Sequence, residues 1–267
     1  MNPPVRRATL AALLIAWFVG LAACGGQSRN LPPGTSNPDR FLYDRGLAAL
    51  KEKKWLTARE YFRQIVDGYP QSPVRAEAKL GVADTYLGEG TTEGYITAIN
   101  EYREFLNFFP THPRADYAQY KMGMGHYHQM RAPERDQTET KAAIQEFEAF
   151  VERFPNSALM GEVRSKLRES RDRLSESNYR VGVFYFRLRH YPGAIDRLKE
   201  ILKNDPEYTH RDGVYYYLAE SLLKLNLSAE ALPYYERLLN EFQQSEYLDE
   251  AQQRVTQLKA GTSNTKS

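Results

Sequence analysis

Residues 41–70 read FLYDRGLAALKEKKWLTAREYFRQIVDGYP. Two segments with apolar residues at helical spacing flank the short polar run 51–54, and Pro70 follows the second segment. The small residues Gly46 and Ala58 stand where two antiparallel helices would approach closely, and Phe62 supplies bulk beside them. The pattern predicts a helix-turn-helix unit of about 34 residues that the proline ends.

The same pattern of small, aromatic and proline residues recurs along the chain. It predicts five units that resemble the tetratricopeptide repeat, and therefore an all-α solenoid; a helical bundle without a fixed repeat is a weaker alternative. The second and third units carry longer loops between their helices, and Gln243 replaces the proline of the fifth. The marker residues of units two to five are Gly81, Ala98, Tyr102 and Pro110; Gly123, Ala143, Phe147 and Pro155; Gly182, Ala194, Leu198 and Pro206; and Leu218, Ala219, Ala231 and Tyr235.

The N-terminus has the composition of a secretion signal. Two arginines precede the apolar run 8–19, and the residues LAAC at 21–24 resemble the lipobox of bacterial lipoproteins, in which the cysteine is acylated and becomes the first residue after cleavage. A transmembrane helix is the weaker alternative, because residues 8–23 are fewer than the roughly 20 that cross a bilayer. We therefore predict a signal peptide over residues 1–23 and lipidation of Cys24, which would attach the protein to a membrane.

Composition divides the remaining chain into three parts. Residues 24–38 are rich in Gly, Pro, Ser and Asn and predict a flexible tether, residues 39–258 hold the five units, and residues 259–267 predict a disordered tail. Gly25 and Gly26 follow the cysteine where lipoproteins retained in the inner membrane carry an aspartate. The expected location is therefore the periplasmic face of the outer membrane.

Charge and the spacing of reactive residues argue against several classes of function. The chain has 36 Lys and Arg and 34 Asp and Glu, and two of the arginines lie in the signal, so the remainder is formally neutral and nucleic acid is not expected as a partner. The single cysteine excludes an internal disulfide. His126 and His128 are two residues apart on a predicted helix and point in different directions, and the glycine-rich residues 88–94 lack the lysine of a phosphate loop. We predict no catalytic residue, no cofactor and no metal site, and hence a binding protein that is not an enzyme.

The first helix of each unit is expected to line the concave face of the solenoid. Tyrosine recurs at the fifth position of this helix, and cationic side chains lie at one end of the predicted face. This combination suits an extended peptide with aromatic side chains and a free carboxylate, although the tyrosines could instead only fill gaps between units. The tyrosines at this position are Tyr43, Tyr120, Tyr179 and Tyr216, and the cations are Arg40, Lys51 and Arg75.

Several motifs that a generic repeat does not require resemble those of the BamD family of outer-membrane assembly lipoproteins. The likeness runs from about Tyr43 to Tyr247, and Asn178 departs from the glutamate of the family pattern. The motifs are Tyr69-Pro70-Gln71-Ser72-Pro73; Phe109-Pro110-Thr111-His112-Pro113-Arg114-Ala115-Asp116-Tyr117 with Tyr120 and Gly123; Arg135-Asp136-Gln137-Thr138 ahead of Phe154-Pro155-Asn156-Ser157; and Arg173-Leu174 before Val181-Gly182-Val183-Phe184-Tyr185.

The resemblance implies a lipid-anchored scaffold of the β-barrel assembly machinery. Its N-terminal units would bind the aromatic-ended C-terminal signals of unfolded outer-membrane proteins, and its C-terminal units would bind the barrel-inserting, BamA-like subunit, with other assembly lipoproteins as further partners. The alternative is a tetratricopeptide lipoprotein that coordinates cell division or peptidoglycan synthesis. The candidate peptide-binding residues are Arg40, Tyr43, Arg75, Tyr86, His112, Tyr117 and Tyr120, and the candidate partner-binding residues are Tyr179, Arg187, Arg197 and Tyr216.

Overall fold

Helices form all of the regular secondary structure in residues 35–264, the part of the chain that the computed structural model describes. The all-α prediction is confirmed over this part, and none of its helices is long and apolar enough to cross a bilayer. The predicted signal peptide, Cys24 and most of the predicted tether lie outside the described residues. The helices are α1 (Pro38–Lys51), α2 (Trp55–Gly68), α3 (Arg75–Glu89), α4 (Thr92–Phe108), α5 (Ala115–Tyr127), α6 (Thr138–Arg153), α7 (Met160–Arg187), α8 (Tyr191–Asn204), α9 (Arg211–Lys224), α10 (Ser228–Glu241) and α11 (Leu248–Asn264).

The helices pack as successive antiparallel pairs, each with a first and a second helix. The pairs are α1 with α2, α3 with α4, α5 with α6, the end of α7 with α8, and α9 with α10. Each second helix contacts the first helix of its own unit and the helix that follows it. First helices also contact one another, α1 with α3, α5 with α7 and α7 with α9. They therefore share one side of the array, called here the first-helix face.

Aromatic side chains of the second helices fill the space between neighbouring first helices. Phe62 of α2 is fully buried and lies beside glycines of both α1 and α3. A Cβ added at Gly46 or at Gly81 would come within 2.6 Å of the Phe62 ring. Removing such a ring from water contributes roughly 1.5–3 kcal/mol. The predicted pairing of small residues with a bulky aromatic residue is therefore confirmed in the first unit.

A repeated loop connects a second helix to the following helix. In the first loop, Ser72 Oγ donates a hydrogen bond to Asp39 Oδ2 at 2.6 Å and accepts one from the backbone N–H of Val74 at 3.2 Å. The serine thereby satisfies a backbone donor ahead of α3 and fixes the loop against α1. The equivalent pairs are Ser157 with Asp116 at 2.6 Å and Ser245 with Asp212 at 2.7 Å.

The 28-residue helix α7 takes part in two units. Its first half (160–173) packs against α6 through Val163 and Leu167. Its second half (174–187) packs against α8, where Gly182 lies next to Leu198. Residues 162–181 contain neither Gly nor Pro, so nothing in the sequence interrupts the helix. The first helix predicted for unit four is thus continuous with the helix that closes unit three.

Two details of the structure differ from the sequence interpretation. The sequence pattern places Gly81 against its own second helix, but Gly81 lies on Phe62 of the preceding α2, whereas Ala83 packs with α4, so the register of α3 is shifted by two residues. The loop after α3 is correspondingly shorter than the pattern suggests. Helix α11 also continues to Asn264, into the range 259–267 that the sequence predicts as a disordered tail.

Candidate peptide-binding and partner-binding surfaces

Asp84 of α3 accepts hydrogen bonds from two tyrosine hydroxyls. Tyr102 Oη donates to Asp84 Oδ1 at 2.6 Å, and Tyr117 Oη donates to the same oxygen at 2.9 Å. Burial raises the pKa of the Asp84 carboxyl, although both hydroxyl donors oppose that rise. Burial and the neighbouring carboxylate raise the pKa of Tyr117, so its phenol stays neutral and continues to donate. The hydrogen bond from Tyr117 to Asp84 fixes the ring of Tyr117 between the first helices α3 and α5.

Arginine side chains lie over two of the predicted tyrosines. The Arg114 guanidinium carbon is 4.2 Å from the centroid of Tyr117, and that of Arg40 is 5.7 Å from the centroid of Tyr43. Burial and the charge of Glu77 raise the pKa of Tyr43, and the positive charges of Arg114 and Arg40 oppose that rise. The charge of Arg114 thus acts on the hydroxyl of Tyr43 in α1 as well as lying over the ring of Tyr117 in α5. Arg40, Tyr43, Arg114 and Tyr117 are called here the N-terminal cluster.

Two other predicted residues hold α5 in place. Tyr120 is only 5% exposed, and its hydroxyl donates to a carboxylate oxygen of Glu162 in α7. His112 lies in the loop before α5, with its ring edge-on to Phe105 at 5.4 Å and its Nδ1 accepting from the backbone N–H of Arg114 at 3.1 Å. His112 therefore orients the residue that carries the cation of the N-terminal cluster. Tyr120 offers little surface to a ligand.

Arg75 and Tyr86 of α3 both contact residues of α2. Arg75 Nε donates to the carbonyl oxygen of Val66 at 3.1 Å, and its side chain lines a pocket of about 110 Å³ beside Phe108. Tyr86 is covered by Arg59 of α2, whose guanidinium carbon is 3.5 Å from the ring centroid. Tyr86 packs with Tyr43 against the hydrophobic core of the first unit, and the predicted peptide-binding role of Arg75 and Tyr86 stays a prediction.

Four tyrosines pack together where α7, α9 and the loop before α11 meet. Tyr216 stacks on Tyr247 with ring centroids 4.4 Å apart and planes inclined by 15°. Tyr217 lies 5.3 Å from Tyr216 and 6.1 Å from Tyr179, in both cases edge to face. Tyr179, Tyr216, Tyr217 and Tyr247 are called here the C-terminal tyrosine cluster. The structure thus brings two of the predicted partner-binding residues into one aromatic surface.

The two arginines predicted to bind a partner lie on other surfaces. Arg187 is exposed at the end of α7. Arg197 is exposed on the second helix α8, with Nη1 at 3.5 Å from Glu200 Oε2. An exposed pair at this distance contributes about 0–1 kcal/mol, so Arg197 can exchange Glu200 for a ligand at small cost.

Sequence reasoning missed several residues of these clusters. Arg114 lies inside the motif at 109–117, but the sequence alone does not show that its guanidinium lies over the ring of Tyr117. Tyr217 belongs to the run Tyr215-Tyr216-Tyr217, in which helical periodicity cannot tell which ring faces the α7 side. Within residues 35–264, no group of three or more His, Cys, Asp or Glu side chains could hold a metal ion.

Residues 35–233 match the model of the YfiO family, which is described as an outer membrane lipoprotein. The chain belongs to this family. Similar YfiO proteins include the outer membrane protein assembly factor BamD of Caulobacter vibrioides, 27% identical over 226 residues that cover 84% of this chain and 72% of the relative. BamD of Rickettsia prowazekii is 27% identical over 225 residues that cover 84% of this chain and 87% of the relative.

The solved TPR2AB domain of yeast Sti1 in its pHSP90 complex is similar to this YfiO chain with a TM-score of 0.49 and 15% identity, and the likeness covers 84% of each chain. The family that the sequence motifs suggested, YfiO/BamD, is confirmed by the match and by the BamD relatives. The N-terminal cluster lies wholly within the part that matches the YfiO model. In the C-terminal tyrosine cluster, Tyr247 alone lies beyond it.

Proposed function

We propose that this protein is a lipid-anchored, periplasmic subunit of the machinery that assembles outer-membrane β-barrels, and that its N-terminal units bind the C-terminal segments of unfolded barrel proteins. Membership of a family of outer membrane lipoproteins and assembly factors supports the role in assembly. The observation that carries the peptide-binding proposal is the pairing of arginine with tyrosine rings in the N-terminal cluster.

The chemistry of this cluster matches a chain end with an aromatic side chain. Tyr43 and Tyr117 present rings against which an aromatic side chain can pack. Arg114 has no carboxylate within ion-pair distance among the described residues, whereas Arg40 pairs only with the exposed Asp44 at 3.2 Å. Both guanidinium groups can therefore bind a peptide carboxylate, and a charge-assisted, two-point contact is among the strongest polar interactions available.

The test is the affinity of the full-length lipidated protein, held in lipid nanodiscs, for a ten-residue peptide that ends in phenylalanine. Arg114→Gln should weaken binding about tenfold, equivalent to about 1.4 kcal/mol. The same peptide with a C-terminal amide should bind the parent protein about as weakly. Arg103→Gln is the matched control, because Arg103 is exposed on the second helix α4, where it donates to Asn100 at 2.9 Å. Equal affinity of the acid and the amide would contradict carboxylate recognition.

We infer that the C-terminal units bind the barrel-inserting subunit. Tyrosine and arginine are the side chains that most often dominate binding at protein interfaces, because they combine large contact areas with polar groups. The C-terminal tyrosine cluster supplies the tyrosines, and Arg187 and Arg197 supply exposed arginines on separate surfaces of α7 and α8. These surfaces are separate from the N-terminal cluster, so both ligands can bind at once.

Photo-crosslinking from Tyr216 in cells, followed by mass spectrometry, tests this second assignment. A barrel-inserting subunit should be captured from Tyr216, and Arg197→Glu should reduce its co-purification several-fold. Arg237→Glu, at an exposed position of α10, is the control for a charge reversal away from the cluster. Capture of cell-wall synthases or division proteins alone would transfer the protein to the alternative pathway.

A further inference from the structure

The first helices of the units bury the same three positions against the preceding second helix. In α3 these residues are Ala78, Val82 and Thr85, which are 0%, 3% and 0% exposed beside α2. The third position always holds a small residue, which lets the two helices approach closely. The equivalent buried residues are Ala118, Met122 and Gly125 in α5; Val163, Leu167 and Ser170 in the first half of α7; and Val214, Leu218 and Ser221 in α9.

The second half of α7 has these positions too, but no second helix covers them. Gly182, which packs on Leu198 of α8, sets the register, and it places Val181 and Phe184 at the second and third positions. Val181 is 38% exposed, Phe184 is 56% exposed, and Leu188, one turn further on, is 60% exposed. The reason is the length of α7, because the hydrophobic core that α6 forms with it extends to Leu174, and beyond that point Arg180 pairs with Glu134 of the loop before α6. Val181, Phe184 and Leu188 are called here the uncovered stripe.

We propose that the uncovered stripe docks an amphipathic helix of a partner protein, which lies where a preceding second helix would lie. In each of the other first helices that follow a second helix, the matching face is covered by a helix, so the shape of the surface is that of a helix-binding site. Phe184 stands where Thr85, Gly125, Ser170 and Ser221 stand, and its large exposed ring can insert between apolar side chains of the partner helix.

The positive charge beside the uncovered stripe indicates which side chains the partner helix carries. Arg187 and Arg189 are exposed next to the stripe, and the ion pairs among the described residues include neither of them, whereas Arg180 pairs with Glu176 at 2.6 Å and with Glu134. A partner helix with carboxylates beside its apolar stripe would pair with Arg187 and Arg189. A second copy of this chain does not fit, because a two-fold arrangement of the stripe would bring the arginines of both copies together. The occupant is therefore a helix of another protein, with leucine or phenylalanine at i, i+4 and i+7 and flanking Glu or Asp.

The first test uses two synthetic 18-residue helical peptides of this design, one with glutamate and one with lysine beside the apolar stripe. Fluorescence anisotropy measures their binding to the full-length lipidated protein in nanodiscs. The glutamate peptide should bind, the lysine peptide should bind about tenfold more weakly, and Phe184→Ser should weaken the glutamate peptide about tenfold. Leu56→Ser is the control, because Leu56 is 69% exposed on α2, away from the stripe. Equal binding of the glutamate peptide to the parent and to Phe184→Ser would overturn the proposal.

The second test places a photo-crosslinker at Phe184 in cells and maps the crosslinked residue of the captured protein. A crosslink to the apolar side of a helix with acidic flanks supports the proposal. A crosslink to an extended segment, to lipid or to a second copy of this chain overturns it. Loss of self-association in Phe184→Ser, measured by light scattering, would likewise show that the stripe is a contact between copies. The proposed peptide site in units one to three is independent of either result.

Discussion

Replacing Arg168 by methionine tests the ionic contact that joins α7 to the end of α8. The second helices α2, α4, α6 and α10 are each followed by an aromatic residue, whereas α8 is followed by Asp205. Asp205 is 6% exposed, and its two carboxylate oxygens accept from Arg168 Nη1 at 2.9 Å and Nη2 at 2.5 Å. Ser175 Oγ donates a third hydrogen bond at 2.6 Å.

The expected loss follows from the burial of this carboxylate. Removing one partner of a buried ion pair destabilises a protein by about 3–5 kcal/mol, because the remaining charge has neither water nor a counter-ion. Arg168 is 27% exposed, so water can reach part of the site, and the hydrogen bond from Ser175 remains. The expected loss in the Arg168→Met variant is therefore near the lower limit, about 3 kcal/mol.

Two further variants separate the buried charge from general disruption. Arg168→Met combined with Asp205→Phe restores the aromatic residue of the other units, so it should recover most of the loss and lie within about 1 kcal/mol of the parent. Arg171→Met removes an exposed pair with Glu148, at 2.6 Å, and should cost about 0–1 kcal/mol.

Urea denaturation is followed by circular dichroism at 222 nm and by the fluorescence of Trp55, the single tryptophan after the predicted signal. Trp55 lies in α2 and reports the N-terminal units, whereas circular dichroism reports all the helices. In Arg168→Met the two transitions should separate, because the C-terminal units lose stability first. A loss below 1 kcal/mol, or a loss equal to that of Arg171→Met, would refute the reasoning.

Three further predictions concern Asp205, Phe62 and Cys24. Burial alone would raise the pKa of Asp205, but the hydrogen bonds from Arg168 and Ser175 lower it below the usual 3.8. The stability that these bonds provide is complete above pH 3.8 and is lost as the pH falls through the pKa of the folded state. The urea midpoints of the parent and of Asp205→Asn should therefore converge at low pH. Phe62→Ala should destabilise the protein by about 3–5 kcal/mol in urea, since the ring is packed between two glycines; a loss near zero would contradict that packing. Cys24→Ala should release the protein from membranes on cell fractionation, and its recovery with the outer membrane would contradict the lipid anchor.

The sequence predicts a contact between helices correctly where only a small residue can occupy the position. Gly46, Ala58 and Phe62 occupy the expected contact, because only a small residue fits beside the ring. The register of α3 could not be predicted in the same way. Gly81 and Ala83 are both small and two residues apart, and only the length of the following loop and the contact with Phe62 decide between them.

The candidate site was predicted less completely for a related reason. Periodicity identifies a helical face, but the partners across that face come from other units. Tyr117 was found by its motif, whereas Asp84, which fixes its hydroxyl, lies 33 residues earlier in the sequence. Phe184 carried a readable signal, since a large aromatic residue replaces the small residue found at the equivalent position of the other first helices.

The length of α7 has a mechanical consequence for the whole array. At 1.5 Å per residue its 28 residues extend over about 42 Å. Its backbone hydrogen bonds run without a break through both halves, so it behaves as a stiff rod to which units one to three and units four to five are fastened at opposite ends. A bend of about 5° at its centre would displace either end by about 2 Å, as follows from that length. Tension or torsion applied at the proposed peptide site would therefore reach the proposed partner surface through the axis of a single helix.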